Sequence, residues 1–247
     1  MELGLGLLSI GRSWGLRNAK PPPRDVAMQL LRDAWALGIR HYDTAPAYGE
    51  SESLLGQFLL ELAPEDRANL VVSTKVGEFW LGVGEATLVC HKADEMRRSV
   101  DRSLALIGKI DILQIHKASV EVLSQHDVTS VIQHAANLKI TSYGASVSDL
   151  PAARLAIETG LFDWLQFPFS ATNPQFSEVF VALAGAGIRV FVNRPLAMGK
   201  LAGADQIERA FSFIQSSDLP VGSIVLTGTG VPLHLHENVN AFARAKA

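Results

Sequence analysis

The sequence has few of the features that mark disulfide-stabilised, membrane-spanning or nucleic-acid-binding proteins. Cys90 is the only cysteine among 247 residues, which excludes an internal disulfide framework and fits a reducing compartment. No apolar run approaches the length of a membrane span, and no lysine- and arginine-rich tract marks a surface for nucleic acid or lipid. The formal net charge of −3 is close to neutral and gives no reason to expect nucleic acid as a partner. The first residues lack a basic segment before their apolar run, so we expect no secretory signal and a cytoplasmic protein.

What the sequence does contain is a repeated alternation of short apolar runs and longer segments with helical periodicity. Eight such strand-and-helix units without a linker predict a closed (β/α)₈ barrel, a TIM barrel, as one domain over residues 1–247. An open doubly wound sheet is the rival fold, but no G-x-G-x-x-G follows the first strand. The predicted strands are 3–7, 39–43, 70–74, 110–115, 140–145, 164–167, 189–192 and 223–226. The predicted helices are 25–37, 51–62, 93–106, 120–137 with a break near His126, 150–159, 174–186, 205–215 and 232–245.

Four polar residues fall at the ends of three consecutive strands of this pattern. Asp43 ends the second strand, and Tyr48 lies in the loop that follows it. Lys75 directly follows the third apolar run, and His116 directly follows the fourth. In a (β/α)₈ barrel, functional side chains lie where strands end and the following loops begin. Each residue alone has an ordinary structural explanation, but together at one rim they predict a functional site.

Beyond these four, the loop after the second strand leads into a predicted helix. Ser51 is expected to cap that helix, with Glu52 in its first turn, where a negative charge suits the helix dipole.

The four residues form a set that suits proton donation to an oxygen atom. A tyrosine has an ordinary pKa of about 10 and is therefore a proton donor at neutral pH. The Lys75 ammonium would favour the phenolate of Tyr48 and lower its pKa, and Asp43 would hold Lys75 charged. His116 is expected to donate a hydrogen bond that orients a carbonyl oxygen beside Tyr48. The set contains no obvious nucleophile, and a single histidine without a clustered second ligand predicts no metal site.

These residues and their surroundings resemble the aldo-keto reductase superfamily. DTAPAYGESE (43–52), STKVG (73–77) and DILQIHK (111–117) look like the motifs of its catalytic tetrad. The resemblance implies a (β/α)₈ barrel that reduces aldehydes and ketones with NADPH and has no Rossmann domain. It implies Tyr48 as the general acid, with Lys75 lowering its pKa, Asp43 pairing with Lys75, and His116 orienting the substrate. The similarity continues in order through GASVSD (144–149), DWLQF (163–167), RPLAMGKL (194–201) and GTGVPLHLHEN (228–238).

The same resemblance implies where the dinucleotide binds. Ser146 and Gln166 match residues that hold the nicotinamide amide. Asn193 stands where an aromatic ring commonly stacks on the nicotinamide, and Arg194 beside it is within reach of a phosphate. The other matching positions cover the pyrophosphate (Pro195, Leu196, Gly199 and Leu201), lie near the 2′-phosphate (Gly228, Thr229 and His234) or lie near the adenine ring (Glu237 and Asn238).

Several of these positions depart from the family's usual residues. Val147 stands where an asparagine is usual, and Gly228, Gly230 and His234 occupy places where basic residues often hold the 2′-phosphate. The resemblance implies NADPH as the cofactor, and these departures leave NADH open. The departures leave a second hypothesis, a reductase-like binding or regulatory protein with a loosened cofactor site. A third hypothesis is a barrel lyase or isomerase that uses Lys75 as a Schiff base.

The expected partner is a small-molecule carbonyl substrate, and the sequence leaves the oligomeric state open. Loops after the strands supply the candidate substrate contacts Trp14, Phe79, Trp80 and Lys117. Aromatic side chains at these positions favour an apolar or planar substrate. Packing against the barrel rim is an equally good explanation for them.

Overall fold

The computed structural model describes residues 1–14, 18–84, 86–201 and 203–245, and its centre is a closed barrel of parallel strands. The strands are β1 (Glu2–Gly6), β2 (His41–Asp43), β3 (Val71–Val76), β4 (Glu78–Trp80), β5 (Thr87–Val89), β6 (Ile112–Ile115), β7 (Ser142–Ser146), β8 (Trp164–Pro168), β9 (Arg189–Asn193) and β10 (Ile224–Thr227). The barrel order is β1-β10-β9-β8-β7-β6-β3-β2, and β2 closes it by pairing with β1. The predicted single-domain (β/α)₈ barrel is confirmed.

Helices follow the barrel strands at or near the predicted positions. Three short 3₁₀ turns accompany them at Pro46–Tyr48, Gln175–Val179 and Ala197–Gly199. In the described part of the chain, no helix combines the length and the apolar character that a membrane span requires. The α-helices are α1 (Leu8–Gly11), α2 (Arg24–Ala36), α3 (Ser51–Glu61), α4 (Pro64–Ala68), α5 (Ala93–Ile107), α6 (Val120–Leu123), α7 (His126–Asn137), α8 (Leu150–Thr159), α9 (Phe180–Gly185), α10 (Ala204–Gln215) and α11 (Pro232–Ala245).

The predicted helix 120–137 is interrupted, as expected, just before His126. Ser119 caps α6 by accepting a hydrogen bond from the Val122 amide at 3.3 Å. The Ser124 hydroxyl donates to the carbonyl oxygen of Val120 at 2.8 Å. Serine side chains that bond to the backbone in this way favour helix ends over helix interiors. The predicted helix 174–186 similarly begins as a 3₁₀ turn before α9.

The sequence pattern missed a two-stranded hairpin that follows β3 directly. β4 and β5 pair antiparallel outside the barrel and are three residues each, too short to show a strand period. Gly77 makes the junction possible, because its φ of +102° is left-handed and a Cβ there would lie 2.4 Å from the His91 ring. The hairpin brings Glu78, which is 4% exposed, to the rim of the barrel. The short helices α1 and α4 were also not predicted.

The barrel lumen is apolar in its lower part and polar at the carboxyl ends of the strands. Ile112, Trp164, Phe191, Ile224 and Leu226 form a buried cluster of their own inside the barrel. The Trp164 and Phe191 rings stack at 4.3 Å between centroids. Two larger clusters lie between the strands and the helices outside them. The apolar layer therefore closes the lumen and leaves the strand ends as the place for polar chemistry.

Gly56, in the middle of α3, allows that helix to contact α5 closely. A Cβ at this position would lie 1.9 Å from the carbonyl oxygen of Leu106. We predict that Gly56→Ala lowers the free energy of unfolding by about 1–3 kcal/mol, because backbone atoms must move apart. Gly185→Ala is the matched control, since it is also helical and has nothing within 4 Å of the added Cβ. Urea denaturation of both variants measures the difference, and equal stabilities would contradict the packing argument.

Candidate active site

The polar residues predicted at three strand ends lie together at one rim of the barrel. β2, β3 and β6 are neighbours, and Lys75 lies opposite Gln114 in the β3–β6 pair. The Lys75 ammonium donates to Asp43 Oδ2 at 2.6 Å and to the carbonyl oxygen of Thr44 at 3.0 Å. The two side chains of the ion pair are 0% and 3% exposed. The predicted pairing of Lys75 with Asp43 is present and almost fully buried.

Tyr48 joins this pair from the loop after β2. It is the last residue of the 3₁₀ turn Pro46–Tyr48, and the centroid of its ring lies 4.9 Å from Lys75 Nζ. The His116 ring meets it edge-on, with centroids 5.8 Å apart and planes 82° to one another. The structure therefore brings a phenol, an ammonium, a carboxylate and an imidazole into one cluster.

Two glycines allow the Tyr48 loop to pack directly on the first loop of the barrel. A Cβ on Gly11 would lie 1.8 Å from the carbonyl oxygen of Tyr48. Gly49 has a left-handed φ of +63°, and a Cβ there would lie 2.3 Å from the Gly11 carbonyl oxygen. Backbone thus contacts backbone, and the residue after Gly11, Arg12, is held beside the tyrosine loop.

Burial is the largest influence on the ionisation of Tyr48 and Lys75. It raises the pKa of Tyr48 above its ordinary value of 10.0, and the opposing charge of Lys75 offsets only part of that rise. Lys75 thus acts in the expected direction, although the net shift is upward. For Lys75, burial alone would lower the pKa, but the charges of Asp43 and Tyr48 outweigh it and raise the pKa above 10.5. The ammonium therefore remains protonated at neutral pH.

The Asp43 carboxylate accepts more hydrogen bonds than the sequence predicted. Besides Lys75, Gln114 Nε2 donates to its Oδ1 at 3.1 Å, and Gln166 Nε2 lies 3.4 Å from its Oδ2. Gln114 also donates to the Ser73 hydroxyl at 2.6 Å. The signal for Gln114 was a glutamine in a buried apolar strand, because a buried amide needs polar partners.

The start of α3 differs from the prediction in its capping. Ser51 is the first helical residue rather than the cap, and its hydroxyl bonds to that of Thr44 at 2.7 Å. Glu52 points inward, is 3% exposed and accepts a hydrogen bond from the Thr74 hydroxyl at 2.6 Å. Burial raises the pKa of Glu52 above its ordinary value of 4.5, whereas the Thr74 hydrogen bond acts against that rise. Glu52 thus lies in the first turn of the helix, as expected, but as a buried carboxyl group.

Glu78 is a site residue that sequence analysis missed. Its Oε2 lies 3.1 Å from His116 Nδ1, and its Oε1 lies 2.8 Å from Lys117 Nζ. The Thr87 hydroxyl donates to the same Oε1 at 2.5 Å. The contact with His116 is close but does not have the geometry of a hydrogen bond. Nδ1 has no hydrogen-bond partner among the described residues. Only the unpredicted hairpin brings this carboxylate beside His116.

His116 is held in its neutral form by its surroundings. Burial is the main reason that its pKa lies well below 6.5, and the charges of Lys75, Lys117 and Arg12 act in the same direction. In a neutral imidazole one nitrogen donates and the other accepts. A carboxylate next to Nδ1 favours the proton on that nitrogen, which leaves Nε2 as an acceptor. Donation to a carbonyl oxygen, as expected from the sequence, requires a proton on Nε2.

Three candidate cofactor residues lie at the ends of neighbouring strands. Ser146 lies opposite Gln166 in the β7–β8 pair, and Asn193 ends β9 beside Pro168. The amide oxygens of Gln166 (Oε1) and Asn193 (Oδ1) are buried and have no hydrogen-bond partner among the described residues. Because buried polar atoms are normally paired, these two oxygens fit a ligand that presents N–H donors, such as a carboxamide.

The loop after β9 contains three residues in an unusual backbone conformation. Arg194, Ala197 and Met198 have φ values of +53°, +49° and +60°. Such left-handed conformations disfavour residues other than glycine by about 1–2 kcal/mol each, and they cluster at ligand-binding sites. Of the other predicted cofactor residues in this loop, Pro195 is buried, Leu196 and Leu201 are half-buried, and Gly199 is exposed.

The candidate residues for the adenine end lie around the start of α11. Gly228, His234 and Glu237 are exposed, and Thr229 is half-buried. The Thr229 hydroxyl accepts a hydrogen bond from the Val231 amide at 3.0 Å. Asn238 is 3% exposed and donates to the Thr227 hydroxyl at 2.7 Å, so its amide nitrogen already has a protein partner.

The candidate substrate residues surround the rim at different depths. Trp14, Phe79 and Trp80 are half-buried. Lys117 has a left-handed φ of +48° and an exposed side chain that pairs with Glu78. Within the described ranges, no group of three or more His, Cys, Asp or Glu side chains is arranged to hold a metal ion.

We predict that Glu78 fixes which nitrogen of His116 carries the proton. Glu78→Gln removes the negative charge at Nδ1 and lets the amide donate to that nitrogen, so the proton should move to Nε2. The ¹⁵N chemical shifts of the His116 ring measure the change. Thr87→Val is the control, because it removes another contact of Glu78 without touching the imidazole. An unchanged tautomer in Glu78→Gln would rule out this role.

Known proteins with similar sequences include a reductase and a dehydrogenase. The chain is 28% identical over 219 residues to the L-glyceraldehyde 3-phosphate reductase of Escherichia coli O157:H7, covering 81% of this chain and 61% of that protein. It is 32% identical over 127 residues to the L-galactose dehydrogenase of Arabidopsis thaliana, covering 50% of this chain and 36% of that protein. The chain thus spans less than two thirds of the length of these curated relatives.

A solved structure is similar over almost the entire chain. A Pseudomonas aeruginosa protein described as an aldo-keto reductase superimposes with a TM-score of 0.83 at 27% identity, covering 99% of this chain and 90% of that one. The sequence model of the Aldo/keto reductase family matches residues 2–246. Because that match runs from β1 through α11, the chain belongs to the Aldo/keto reductase family.

Proposed function

We propose that the protein is an NAD(P)H-dependent carbonyl reductase that converts a small aldehyde or ketone to an alcohol. The observation that carries the proposal is the buried Lys75–Asp43 pair, with Tyr48 and His116 beside it. Family membership and the names of the relatives, a reductase and a dehydrogenase, support the same reaction class. The single cysteine agrees with a reducing, cytoplasmic setting.

In this proposal Tyr48 protonates the substrate oxygen during reduction and accepts the proton in the reverse reaction. Burial holds the phenol protonated, so it is a donor at neutral pH. The adjacent Lys75 ammonium stabilises the phenolate that is left after transfer, and Asp43 keeps Lys75 charged. His116 holds the substrate oxygen next to the phenol. With the proton on Nδ1 it accepts from an alcohol, and with a proton on Nε2 it donates to a carbonyl.

The nicotinamide of NADPH or NADH supplies the hydride when the cofactor is bound. Gln166 and Asn193 would hold the nicotinamide carboxamide through their unpartnered amide oxygens, together with Ser146. The strained loop Arg194–Leu201 would cover the pyrophosphate, with Arg194 as its cation. At the far end, Thr229 and His234 would contact a 2′-phosphate between the start of α11 and Gly228, and Glu237 and Asn238 would lie near the adenine.

The buried site argues against a Schiff-base lyase. Lys75 is fully buried, and its raised pKa keeps the amine protonated and therefore poorly nucleophilic. The regulatory alternative remains a specific rival, because the 228–238 segment has no lysine or arginine and its only basic side chains are those of His234 and His236. Cofactor affinity separates that rival from the enzyme.

We predict that Tyr48→Phe reduces kcat/KM for carbonyl reduction by at least about 100-fold, since it removes the general acid. Cofactor affinity should stay close to that of the wild type, because the aromatic ring is kept. Tyr143→Phe is the control, since the Tyr143 hydroxyl donates to the Ile140 carbonyl oxygen near the start of β7. Stopped-flow oxidation of NADPH measures the rate, and full activity of Tyr48→Phe would remove Tyr48 from the mechanism.

We further predict that the purified protein binds NADPH at micromolar concentration and NADH more weakly. Quenching of tryptophan fluorescence measures both affinities. His234→Ala should narrow the difference between the two, because it removes the candidate cation for the 2′-phosphate. If neither dinucleotide binds at millimolar concentration, the carbonyl reductase has no hydride source and the regulatory hypothesis replaces it.

A further inference from the structure

Arg12 is a half-buried cation at the rim of the barrel that has no ion-pair partner among the described residues. Its Nε atom is buried and lacks a hydrogen-bond partner among the described residues. No carboxylate of the described ranges forms an ion pair with it. A guanidinium that is partly removed from water loses solvation, and no hydrogen bond to Nε from the described residues replaces it. This arrangement is costly for a residue that only supports the fold, and it suits one that binds an anion.

Arg12 is held close to the proposed catalytic residues. The Gly11 carbonyl oxygen accepts a hydrogen bond from the Glu50 amide at 3.2 Å, which fixes the end of α1 on the tyrosine loop. A Cβ on Gly49 would lie 3.1 Å from the Arg12 Cβ. The Arg12 side chain therefore begins beside Gly49, the residue that follows Tyr48. Its charge also reaches His116, where it adds to the effect of burial.

Trp14 lies close to Arg12 and also to a second arginine, Arg194. The Arg12 guanidinium carbon lies 5.9 Å from the Trp14 ring centroid, and that of Arg194 lies 5.8 Å from the same ring. Arg194 is exposed and comes from the loop after β9. Arg12 is attached beside the tyrosine loop, whereas Arg194 belongs to the proposed pyrophosphate loop.

The charges at the rim are unbalanced in favour of the positive sign. Lys75 is neutralised by Asp43, and Lys117 by Glu78. Arg12 and Arg194 have no such partner in the part of the chain described. The whole sequence, in contrast, carries a formal net charge of −3. A positive rim on an acidic protein attracts anions specifically to this place.

We propose that Arg12 binds an anionic group of the substrate, so that the protein acts on small carbonyl compounds that carry a carboxylate or a phosphate. The inference rests on the proposed carbonyl reductase and adds the substrate class. A guanidinium fork pairs with two oxygens of either anion, and Trp14 covers the apolar part of the molecule. Arg194 serves the cofactor phosphates instead.

The first test does not depend on activity. Inorganic phosphate is titrated into the wild type while the His116 ring resonances are followed by NMR. We expect a saturable shift that is lost in Arg12→Gln, reduced in Arg12→Lys and retained in Arg194→Gln. Arg12→Lys keeps the positive charge, so a partial response in this variant shows that the loss in Arg12→Gln does not come from misfolding. Loss of the response only in Arg194→Gln, or no response in the wild type, would overturn the assignment.

The second test measures selectivity. The preference for a carboxylate is measured as the ratio of kcat/KM for 4-oxobutanoate to kcat/KM for its methyl ester. The preference for a phosphate is measured as the ratio of kcat/KM for glycolaldehyde phosphate to kcat/KM for glycolaldehyde. Arg12→Gln should lower at least one of these ratios by about 10- to 100-fold, the range expected for a charged hydrogen bond, while Arg194→Gln lowers neither. Unchanged ratios in Arg12→Gln would refute the proposal. A wild type that reduces none of the four compounds yet shows the phosphate response would instead count against the reductase.

Discussion

The buried ion pair between Lys75 and Asp43 is the interaction on which the rest of the site depends. Both side chains are almost completely removed from water, so each charge is stable only because the other is present. Removing one partner of such a pair typically costs about 3–5 kcal/mol, because the remaining charge stays buried and uncompensated. The side-chain amides of Gln114 on β6 and Gln166 on β8 also stabilise the Asp43 carboxylate by donating hydrogen bonds to it. The pair is therefore supported from across the barrel rather than by one neighbour.

This network also links the proton-donating part of the rim to the proposed cofactor part. Gln166 uses its amide nitrogen on Asp43 and leaves its amide oxygen unpartnered. A ligand that bonds to that oxygen would fix the amide and, through it, the carboxylate that keeps Lys75 charged. The Gln166 side chain thus links the binding of a carboxamide to the charges around Tyr48.

The sequence predicted the barrel and the four clustered residues because both depend on patterns of short range. Strand and helix periods are local, and the carboxyl ends of parallel strands must share a rim, so Asp43, Lys75 and His116 had to lie near one another. Glu78 and Arg12 were missed for the opposite reason. Their roles depend on a six-residue pairing outside the barrel and on glycine contacts between distant loops, neither of which leaves a period in the sequence. The burial of Glu52 was likewise not predicted, because a position in the first turn of a helix does not show that the side chain points inward.

The different positions of Asp43 and Glu52 determine which of the two carboxyl groups bonds to Lys75. Both carboxyl groups are buried within reach of the Lys75 charge, but only Asp43 bonds to the ammonium. Glu52 has a hydroxyl partner, Thr74, and burial raises its pKa, which favours the neutral form relative to a solvated glutamate. A second full carboxylate here would compete with the phenolate for the same ammonium and would make Tyr48 a weaker acid. Because Glu52 bonds to a hydroxyl group instead, the Lys75 ammonium bonds to Asp43 and to the Thr44 carbonyl oxygen and lies 4.9 Å from the centroid of the Tyr48 ring.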